Sequence, residues 1–395
     1  MDISVRRGDT LWYYASMFNL PLRLIIDSNP RINPNALTIG QTIRIPGYRS
    51  ISYQIQRGDT FWKLATDRNI TLDALYLLNQ NINANNLQIG QSISIPSRVT
   101  SRVVFGKQAY DSSTLGQDLA ELFRIYPFIR TESIGRSIMG KELTELLIGR
   151  GSQVVHWNGS FHAQEWITTP VIMMFLNDYL LSLTNQGAIR GLQMNPFYDR
   201  ITLSIVPMVN PDGVDLVING PPSGPRGEEV LELNNGSTDF SGWRANIRGV
   251  DLNNQYPAKW DVEAERKPDQ PGPRDFPGYQ PLTEPESIAM AELAGNRQFA
   301  KMLTFHTQGK VIFWGFEGLE PPESETIVNE FARVSGYRPI QYVDSFAGYK
   351  DWFIQDYRRP GFTVELGKGT NPLPLIQFDE IYQEAIGIFL ASMYM

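Results

Sequence analysis

The stretch V-V-H-W-N-G-S-F-H-A-Q-E-W, residues 154–166, decides the fold of the larger part of this chain. Val154 to Trp157 have the pattern of a buried strand, and the apolar segment from Trp166 to Leu183 has that of a helix. A strand that turns directly into an apolar helix is the repeating unit of α/β domains. Further core elements are predicted at 201–208, 302–305, 362–364 and 375–394. We therefore expect an α/β domain with a mixed central sheet flanked by helices.

Two polar residues in this stretch, His162 and Glu165, are candidate metal ligands. Because they follow a strand and enter a helix, both side chains are expected to converge at the carboxyl end of that strand. His306 ends the apolar run M-L-T-F-H, and Glu365 lies in the apolar run G-F-T-V-E-L. Zinc hydrolases need three protein ligands, an open position for water and a carboxylate that takes the proton of that water. These four side chains can supply that set, so we predict one zinc ion per chain.

The composition narrows the classes of function. The 395 residues include no cysteine, so a metal would have to use histidine and carboxylate ligands. The net charge is −7, and Lys and Arg form no cluster, so no nucleic-acid partner is expected. Apolar stretches such as Val171 to Leu176 are too short to cross a membrane. The N-terminus M-D-I-S-V-R-R-G-D-T does not have the pattern of a signal peptide, which leads us to expect a cytoplasmic location without membrane contact.

The first hundred residues contain a repeat with a period of fifty. R-G-D-T-L-W at 7–12 returns as R-G-D-T-F-W at 57–62. L-T-I-G-Q-T-I-R-I-P at 37–46 returns as L-Q-I-G-Q-S-I-S-I-P at 87–96. In each copy the Asp-Thr pair is suited to cap a helix, a second helix follows, and a closing strand ends at proline. Each copy is predicted to be a compact strand-helix-helix-strand unit.

Both repeats resemble the LysM module, which binds N-acetylglucosamine polymers such as peptidoglycan and chitin. The resemblance covers nearly the whole of each copy. It implies that glycan strands of peptidoglycan are a partner of this chain, with contacts in the Gly-Asp-Thr loop and in the loop before the second helix. The predicted domains are LysM modules at 1–48 and 49–97 and a catalytic domain at 98–395.

Several segments of the larger domain, in order, resemble the zinc carboxypeptidase family over roughly residues 105 to 395. They are H-A-Q-E-W at 162–166, N-P-D-G at 210–213, G-W-R at 242–244, G-V-D-L-N at 249–253, Ser287, T-F-H at 304–306, D-W at 351–352 and F-T-V-E-L at 362–366.

This resemblance implies a role for each matching residue. His162, Glu165 and His306 match the zinc ligands of the family, and Glu365 matches its general base and acid. Arg244 matches the arginine that polarises the scissile carbonyl and stabilises the developing oxyanion. These roles agree with the chemistry expected of a zinc-bound water, a proton acceptor and a fixed cation.

Two departures from the family pattern bear on specificity. Carboxypeptidases of this family have Asn-Arg where this chain has Asn253-Asn254, and that arginine clamps the terminal carboxylate of the substrate. Loss of the cation argues against an ordinary carboxypeptidase, and we assign Asn253 and Asn254 to substrate binding. The family also has a mobile tyrosine before the Asp-Trp pair. Tyr342, offset by one residue, is the preferred candidate for it, and Tyr349 is the alternative.

LysM modules in front of such a domain resemble γ-D-glutamyl-L-diamino acid endopeptidases. These cut the bond between γ-D-glutamate and a diamino acid, usually meso-diaminopimelate, in peptidoglycan stem peptides, and the spore-related members act from the mother cell or the spore. One alternative is a metallocarboxypeptidase that trims cell-wall peptides, against which the missing arginine at Asn254 argues. Another is an inactive glycan-binding spore or coat protein, against which the complete set of site residues argues. The sequence leaves diaminopimelate and lysine open as the diamino acid.

Overall fold

The computed structural model describes residues 1–395 and divides into two compact units. The first unit comprises residues 1–103, 118–130 and 177–195, and the second comprises residues 104–117, 131–176 and 196–395. The strands are β1 Asp2–Ser4, β2 Thr42–Arg44, β3 Tyr48–Gln54, β4 Ser92–Arg98, β5 Arg130–Arg136, β6 Glu142–Gly149, β7 Gln153–Gly159, β8 Ala188–Ile189, β9 Leu192–Gln193, β10 Ile201–Val206, β11 Lys301–Thr307, β12 Val311–Phe313, β13 Arg338–Ile340 and β14 Gly361–Leu366. The α-helices are α1 Leu11–Met17, α2 Leu22–Asp27, α3 Phe61–Asp67, α4 Leu72–Leu78, α5 Ser112–Ile125, α6 Thr168–Asn185, α7 Asn195–Arg200, α8 Pro211–Asn219, α9 Pro225–Leu233, α10 Trp260–Ala264, α11 Pro285–Arg297, α12 Glu323–Ser335, α13 Tyr349–Tyr357 and α14 Phe378–Tyr394.

Each N-terminal repeat forms the predicted βααβ unit. β1 pairs antiparallel with β2, and β3 pairs antiparallel with β4. Thr10 and Thr60 cap the first helix of each copy, and each accepts a hydrogen bond from the amide three residues on, at 3.0 and 3.1 Å. Asn29 and Asn79 each donate to a carbonyl of the second helix and to one of the closing strand, at 2.8–2.9 Å. The repeat in the sequence is therefore a repeat of individual hydrogen bonds.

The two modules contact each other through residues that differ between the copies. The Arg6 guanidinium donates to both carboxylate oxygens of Asp73, at 2.8 and 2.6 Å, and the Tyr13 hydroxyl donates to the same carboxylate at 2.7 Å. Gln56 occupies the position of Arg6 in the second copy, and Arg23 occupies the position of Asp73 in the first. Because the first copy supplies the arginine and the second copy supplies the aspartate, the two modules form this bidentate charge-assisted contact only in the order in which they occur in the chain.

The modules also contact the other two stretches of the first unit. The Gly47 amide donates to the Ile125 carbonyl at 2.8 Å, and Arg98 donates to the Thr184 carbonyl at 2.7 Å. At Gly47, φ is +71°, and an added Cβ would lie 2.7 Å from the Thr184 Cβ. Only glycine fits this close approach without strain. The modules are therefore packed against other parts of their unit and are not held by a flexible tether alone.

The second unit is built on an eight-stranded mixed sheet in the order β13-β12-β14-β11-β7-β10-β6-β5. The four central strands β14, β11, β7 and β10 are parallel, whereas β6 and β12 run antiparallel to their central neighbours. Every residue of β10 and β11 is buried, as expected for parallel strands covered on both faces. The predicted mixed sheet flanked by helices is confirmed.

One segment, Ala163–Asn185, is long and apolar enough to cross a membrane by length and composition. Within the protein, 89% of the most apolar 18-residue stretch of this segment is buried, which is the environment of a core helix in a globular fold. This segment includes α6.

The register of the central strands determines where the predicted site residues lie. β7, β11 and β14 are parallel neighbours, so their carboxyl ends meet at one edge of the sheet. His306 on β11 lies directly opposite Glu365 on β14. His162 and Glu165 follow β7 at the same edge. This edge is where ligands bind in open parallel sheets.

Candidate zinc site

The loop after β7 is shaped to bring His162 and Glu165 together. Ser160 has a φ of +53°, which turns the chain sharply at the end of the strand. Its amide donates to the Thr168 hydroxyl at 2.8 Å, and that hydroxyl donates to the Glu165 carbonyl at 3.0 Å. Ala163–Glu165 then form a single 3₁₀ turn, and His162 precedes it as the cap residue. The turn places the two side chains at one point.

A second side chain, Asn210, fixes this loop to the segment that carries Arg244. Asn210 donates to the Phe161 carbonyl at 3.2 Å and to the Ala245 carbonyl at 3.0 Å, and its oxygen accepts from the Gly213 amide. It is fully buried. The N-P-D-G motif therefore positions two neighbouring parts of the site in addition to starting α8.

The three predicted metal ligands form a tight buried cluster. His162 Nδ1 lies 2.9 Å from Glu165 Oε1, and His306 Nδ1 lies 2.9 Å from Glu165 Oε2. The two Nδ1 atoms are 3.1 Å apart. Exposure is 3% for His162, 2% for Glu165 and 1% for His306. One ligand atom from each residue therefore converges within 4.8 Å of the others.

This donor set fits zinc. Two imidazole nitrogens and a carboxylate are typical zinc ligands at distances of about 2.0–2.2 Å, and three ligands leave the open position that catalysis needs. His162 also has a carboxylate behind it, because its Nε2 lies 3.3 Å from Asp251 Oδ1. Carboxylates placed in this way orient metal-bound histidines and raise their basicity.

The charges around the cluster favour a cation. Burial raises the pKa of Glu165, but His162 and His306 outweigh it and hold this pKa below its usual range. Burial and Arg244 lower the pKa of His162, but Glu165 and Asp251 outweigh them and raise it to about 9. The same negative field attracts a divalent cation, whose binding requires the neutral form of histidine.

Arg244 is held beside the cluster by Asp251. Its Nε donates to Asp251 Oδ2 at 2.7 Å, and the Asp251 side chain is fully buried. Burial lowers the pKa of Arg244, but the charges of Asp251 and Glu165 outweigh it and raise this pKa above its ordinary value. The guanidinium is therefore fixed along one edge, and its Nη groups remain for a ligand.

Glu365 lies one strand away from His306. Burial, followed by the charge of Glu165, raises the pKa of Glu365 to about 8, although His162 and Arg244 act in the opposite direction. A carboxyl group with a raised pKa is a stronger base, which suits proton transfer near neutral pH. A divalent cation at the ligand cluster would lower this pKa again.

These residues line one cavity of about 220 Å³. His162, Glu165, His306, Arg244 and Glu365 all contribute to its wall. The structure therefore brings together every predicted metal ligand and catalytic residue.

Asn253 and Asn254, predicted to bind substrate, line the same cavity. They lie in a 3₁₀ turn in which the Asn253 amide donates to Asp251 at 3.0 Å. The Asn253 side chain accepts from the Tyr349 amide at 3.1 Å. Asn254 is 5% exposed, and its Nδ2 has no hydrogen-bond partner within the protein. A buried amide donor without a partner is costly unless a ligand accepts from it.

The two candidate tyrosines lie outside this cavity. Tyr349 is buried in an aromatic cluster, where its hydroxyl donates to the Met290 carbonyl at 3.2 Å. Tyr342 is 53% exposed and donates to Glu320 at 2.8 Å. It lines a neighbouring hollow. A substrate role for Tyr342 stays a prediction.

Sequence reasoning missed several residues of this site. The G-V-D-L-N motif contains Asp251 but assigns it no role, yet Asp251 contacts both His162 and Arg244. The sequence indicates a role for Asp251, because it lies between the apolar residues Val250 and Leu252 and a buried carboxylate needs a cationic partner. Lys267, Lys350, Asp351 and Thr363 also line the cavity, and no role was predicted for them.

Comparison with known proteins agrees with this geometry. The family model described as zinc carboxypeptidase matches residues 116–386, and the LysM domain model matches residues 3–46 and 53–96. The γ-D-glutamyl-L-diamino acid endopeptidase 1 of Lysinibacillus sphaericus is 64% identical over 396 residues and covers 100% of both chains. An uncharacterised protein of Bacillus subtilis (strain 168) is 45% identical over 73% of this chain and 78% of its own.

Solved structures share the fold at low sequence identity. Bovine thrombin-activatable fibrinolysis inhibitor, in complex with a tick carboxypeptidase inhibitor, has a TM-score of 0.56 at 18% identity and covers 73% of this chain and 97% of its own. Carboxypeptidase A from Helicoverpa armigera has a TM-score of 0.54 at 18% identity and covers 84% of this chain and 81% of its own. The predicted fold and the zinc cofactor are confirmed. The chain belongs to the zinc carboxypeptidase family and is a zinc-dependent peptidase that carries two LysM modules.

Proposed function

We propose that this chain hydrolyses the bond between γ-D-glutamate and meso-diaminopimelate in the stem peptides of bacterial peptidoglycan. The observation that carries the proposal is the full-length similarity, at 64% identity, to an enzyme named for cleavage at γ-D-glutamyl-L-diamino acid bonds. That similarity includes the LysM modules as well as the peptidase domain, because it covers 100% of both chains.

The residues of the cavity suit amide hydrolysis. Zinc, held by His162, Glu165 and His306, would supply Lewis-acid polarisation and a water of lowered pKa. Glu365 takes a proton from the attacking water and returns it to the leaving amine. The Arg244 guanidinium, oriented by Asp251, stabilises the negative charge that develops on the scissile carbonyl oxygen.

The pair Asn253-Asn254 supports an endopeptidase. Asn254 presents a neutral amide where carboxypeptidases of the family have the arginine that binds a terminal carboxylate. Its unpaired Nδ2 can donate to a peptide carbonyl at that place as well as to a carboxylate. A substrate with further residues after the diamino acid is therefore expected to be accepted.

The LysM modules would bring this activity to the polymer. We propose that they bind the glycan strands of peptidoglycan, so that stem peptides are presented at high effective concentration. We keep the domain limits 1–48, 49–97 and 98–395 as part of this proposal. A cytoplasmic or spore-associated location, linked to sporulation, stays a prediction that fractionation of sporulating cells would test.

Mass spectrometry of digested muropeptides tests the proposal. Muropeptides with tri-, tetra- and pentapeptide stems should all lose the diaminopimelate-containing fragment and keep L-alanyl-D-glutamate on the muramic acid, and a chelator should abolish this cleavage until zinc is added. Loss of single C-terminal residues would instead support a metallocarboxypeptidase. Binding to peptidoglycan without any cleavage by the zinc-loaded protein would support a non-catalytic glycan-binding protein.

A further inference from the structure

The zinc cavity contains a cation, Lys267, that the chemistry above does not use and that no carboxylate binds closely. Lys267 lines this cavity, and its side chain is 25% exposed. Its Nζ lies 3.5 Å from Glu263 Oε1 and 3.9 Å from Asp275 Oδ1, both longer than an ordinary hydrogen bond. The other two cations of the cavity wall, Arg244 and Lys350, each have a carboxylate oxygen within 2.7 Å. Because an ammonium has three N–H donors, Lys267 keeps donor capacity for a ligand.

The two carboxylates nearest to Lys267 are bound more closely by other groups. Glu263 is 2% exposed and accepts from Arg266 Nη2 at 2.6 Å and from the Phe346 amide at 3.1 Å. Asp275 accepts from the Nε of its neighbour in the chain at 3.3 Å. A long and partly exposed ion pair stabilises a fold only weakly. The ammonium of Lys267 is therefore not accounted for by its contacts within the protein.

The loop that follows Lys267 holds it near Arg244. The Arg244 and Ala245 amides both donate to the Pro273 carbonyl, at 2.8 and 3.0 Å, which fixes the loop two residues before Asp275. Asp275 Oδ1 lies 3.9 Å from Arg244 Nε and 3.9 Å from Lys267 Nζ. The two cationic groups are therefore no more than twice that distance apart.

We propose that Lys267 binds the α-carboxylate of the γ-D-glutamyl residue and selects stem peptides in which this carboxylate is free over those in which it is amidated. This inference rests on the proposed function. A glutamate that is linked through its γ-carboxyl group keeps its α-carboxylate outside the peptide chain. When this anion enters the cavity it loses water, so it needs a cationic partner there.

Bond lengths place that carboxylate within reach of Lys267. Arg244 stabilises the scissile carbonyl oxygen, which must therefore come within about 3 Å of the guanidinium. Four carbon–carbon bonds join the scissile carbonyl carbon to the α-carboxylate carbon, a span of roughly 5 Å when extended. A substrate whose carbonyl contacts Arg244 can therefore place its α-carboxylate against the Lys267 ammonium.

The other polar groups of the cavity wall suit this anion less well. Arg244 is oriented by Asp251 and acts on the scissile carbonyl, and Lys350 already pairs with Asp351. Asn254 is neutral. An amidated α-carboxyl group has no charge and presents N–H groups, which an ammonium cannot accept from. Selection therefore comes from attraction of the free carboxylate and from unmatched donors with the amide.

The test measures kcat/KM of the zinc-loaded full chain for L-Ala-γ-D-Glu-meso-diaminopimelate and for the same peptide with D-isoglutamine in place of D-glutamate. The wild type should prefer the first peptide about 5- to 50-fold, between the value of an exposed ion pair and that of a buried charge-assisted hydrogen bond. Lys267→Met should lower kcat/KM for the first peptide by that factor and leave the second nearly unchanged. Lys267→Arg should keep part of the preference.

Two controls separate this contact from general effects of charge. Lys107→Met removes a cation of the same unit that pairs with Asp379 at 2.5 Å and does not line the cavity, so it should leave the preference unchanged. A third tripeptide is amidated only at the diaminopimelate carboxyl group next to the scissile nitrogen. Lys267→Met should affect this peptide as strongly as the unmodified one. The preference of the wild type is itself a result that needs no folded variant.

Three sets of results would separate the possible failures. If the wild type cleaves the D-glutamate and D-isoglutamine peptides equally, or if Lys267→Met lowers kcat/KM for both alike, the assignment of Lys267 is wrong and the proposed function stands. If the third tripeptide is insensitive to Lys267→Met, Lys267 binds the leaving fragment, and the assignment is again wrong. If the wild type releases the N-terminal dipeptide from none of the three peptides, the proposed function itself is wrong.

Discussion

Asp251→Asn should remove the negative charge that orients both Arg244 and His162, while the side chain keeps the same size and shape. Asp251 is fully buried, and its two oxygens lie 2.7 Å from Arg244 Nε and 3.3 Å from His162 Nε2. An asparagine keeps one acceptor oxygen but presents an N–H group to the other donor. Because Asp251 Oδ1 also accepts from the Asn253 amide at 3.0 Å, the asparagine oxygen should keep that side, so the contact with Arg244 is lost and the negative charge is lost from both Arg244 and His162.

The size of the effect follows from these contacts. A hydrogen bond to a charged group contributes about 1.5–3 kcal/mol, which corresponds to roughly 10- to 150-fold in an equilibrium or rate constant. Carboxylates behind metal-bound histidines usually change metal affinity or activity about 10- to 100-fold. Asp251→Asn should therefore weaken zinc binding by about 10- to 100-fold. At saturating zinc, kcat should still fall, because Arg244 loses its orientation.

Competition with a zinc-sensitive chelator gives the affinity, and tripeptide cleavage at saturating zinc gives kcat. Asp212→Asn is the control, since Asp212 is 2% exposed and accepts from the Met139 amide at 2.8 Å but does not line the cavity. It should change stability and leave zinc affinity as it is. A folded Asp251→Asn variant with wild-type zinc affinity and kcat would refute the role of Asp251.

Three further changes probe other parts of the protein. Glu365→Gln should lower kcat about 10²- to 10⁴-fold with zinc content unchanged, and near-normal turnover would exclude it as the general base. Burial raises the pKa of Glu286 from 4.5 to about 7, so stability should fall as pH rises from 4.5 to 7, where only the unfolded chain has lost the proton. Between pH 4.5 and 8 the free energy of unfolding of the wild type should fall by about 3 kcal/mol, as measured by denaturant titration at both pH values. Glu286→Gln should remove most of this fall, and a fall as large as in the wild type would contradict the prediction. Removal of residues 1–96 should weaken sedimentation with peptidoglycan and also lower the Tm, because the modules contact Ile125 and Thr184; an unchanged Tm would show that these contacts add no stability.

The sequence predicts those parts of the protein that depend on local pattern. The repeat of period fifty becomes a repeat of caps and hydrogen bonds at Thr10 and Thr60, because each capping residue and the helix that it caps are close in sequence within one copy. The strand ends also predict the clustering of His162, Glu165 and His306, since parallel strands meet at one sheet edge.

Contacts between distant segments are beyond such patterns. Lys350 acquires its environment from Asp351, from the Gly315 carbonyl and from the strand beside Gly361, and no periodicity in the sequence brings these together. The choice between Tyr342 and Tyr349 depends on which of them the core covers, and the structure buries Tyr349. Similarly, the packing of residues 118–130 and 177–195 with the LysM modules depends on tertiary contacts rather than on composition.

The most direct test of the central claim is the position of ¹⁸O after hydrolysis in labelled water. The zinc-loaded chain is incubated with a stem tetrapeptide in H₂¹⁸O, and the products are fragmented by mass spectrometry. Hydrolysis at the proposed bond predicts one ¹⁸O in the γ-carboxyl group of the released L-alanyl-D-glutamate and none in the diaminopimelate fragment. Label at the carboxyl group of diaminopimelate, with release of D-alanine, would contradict the claim and identify a carboxypeptidase.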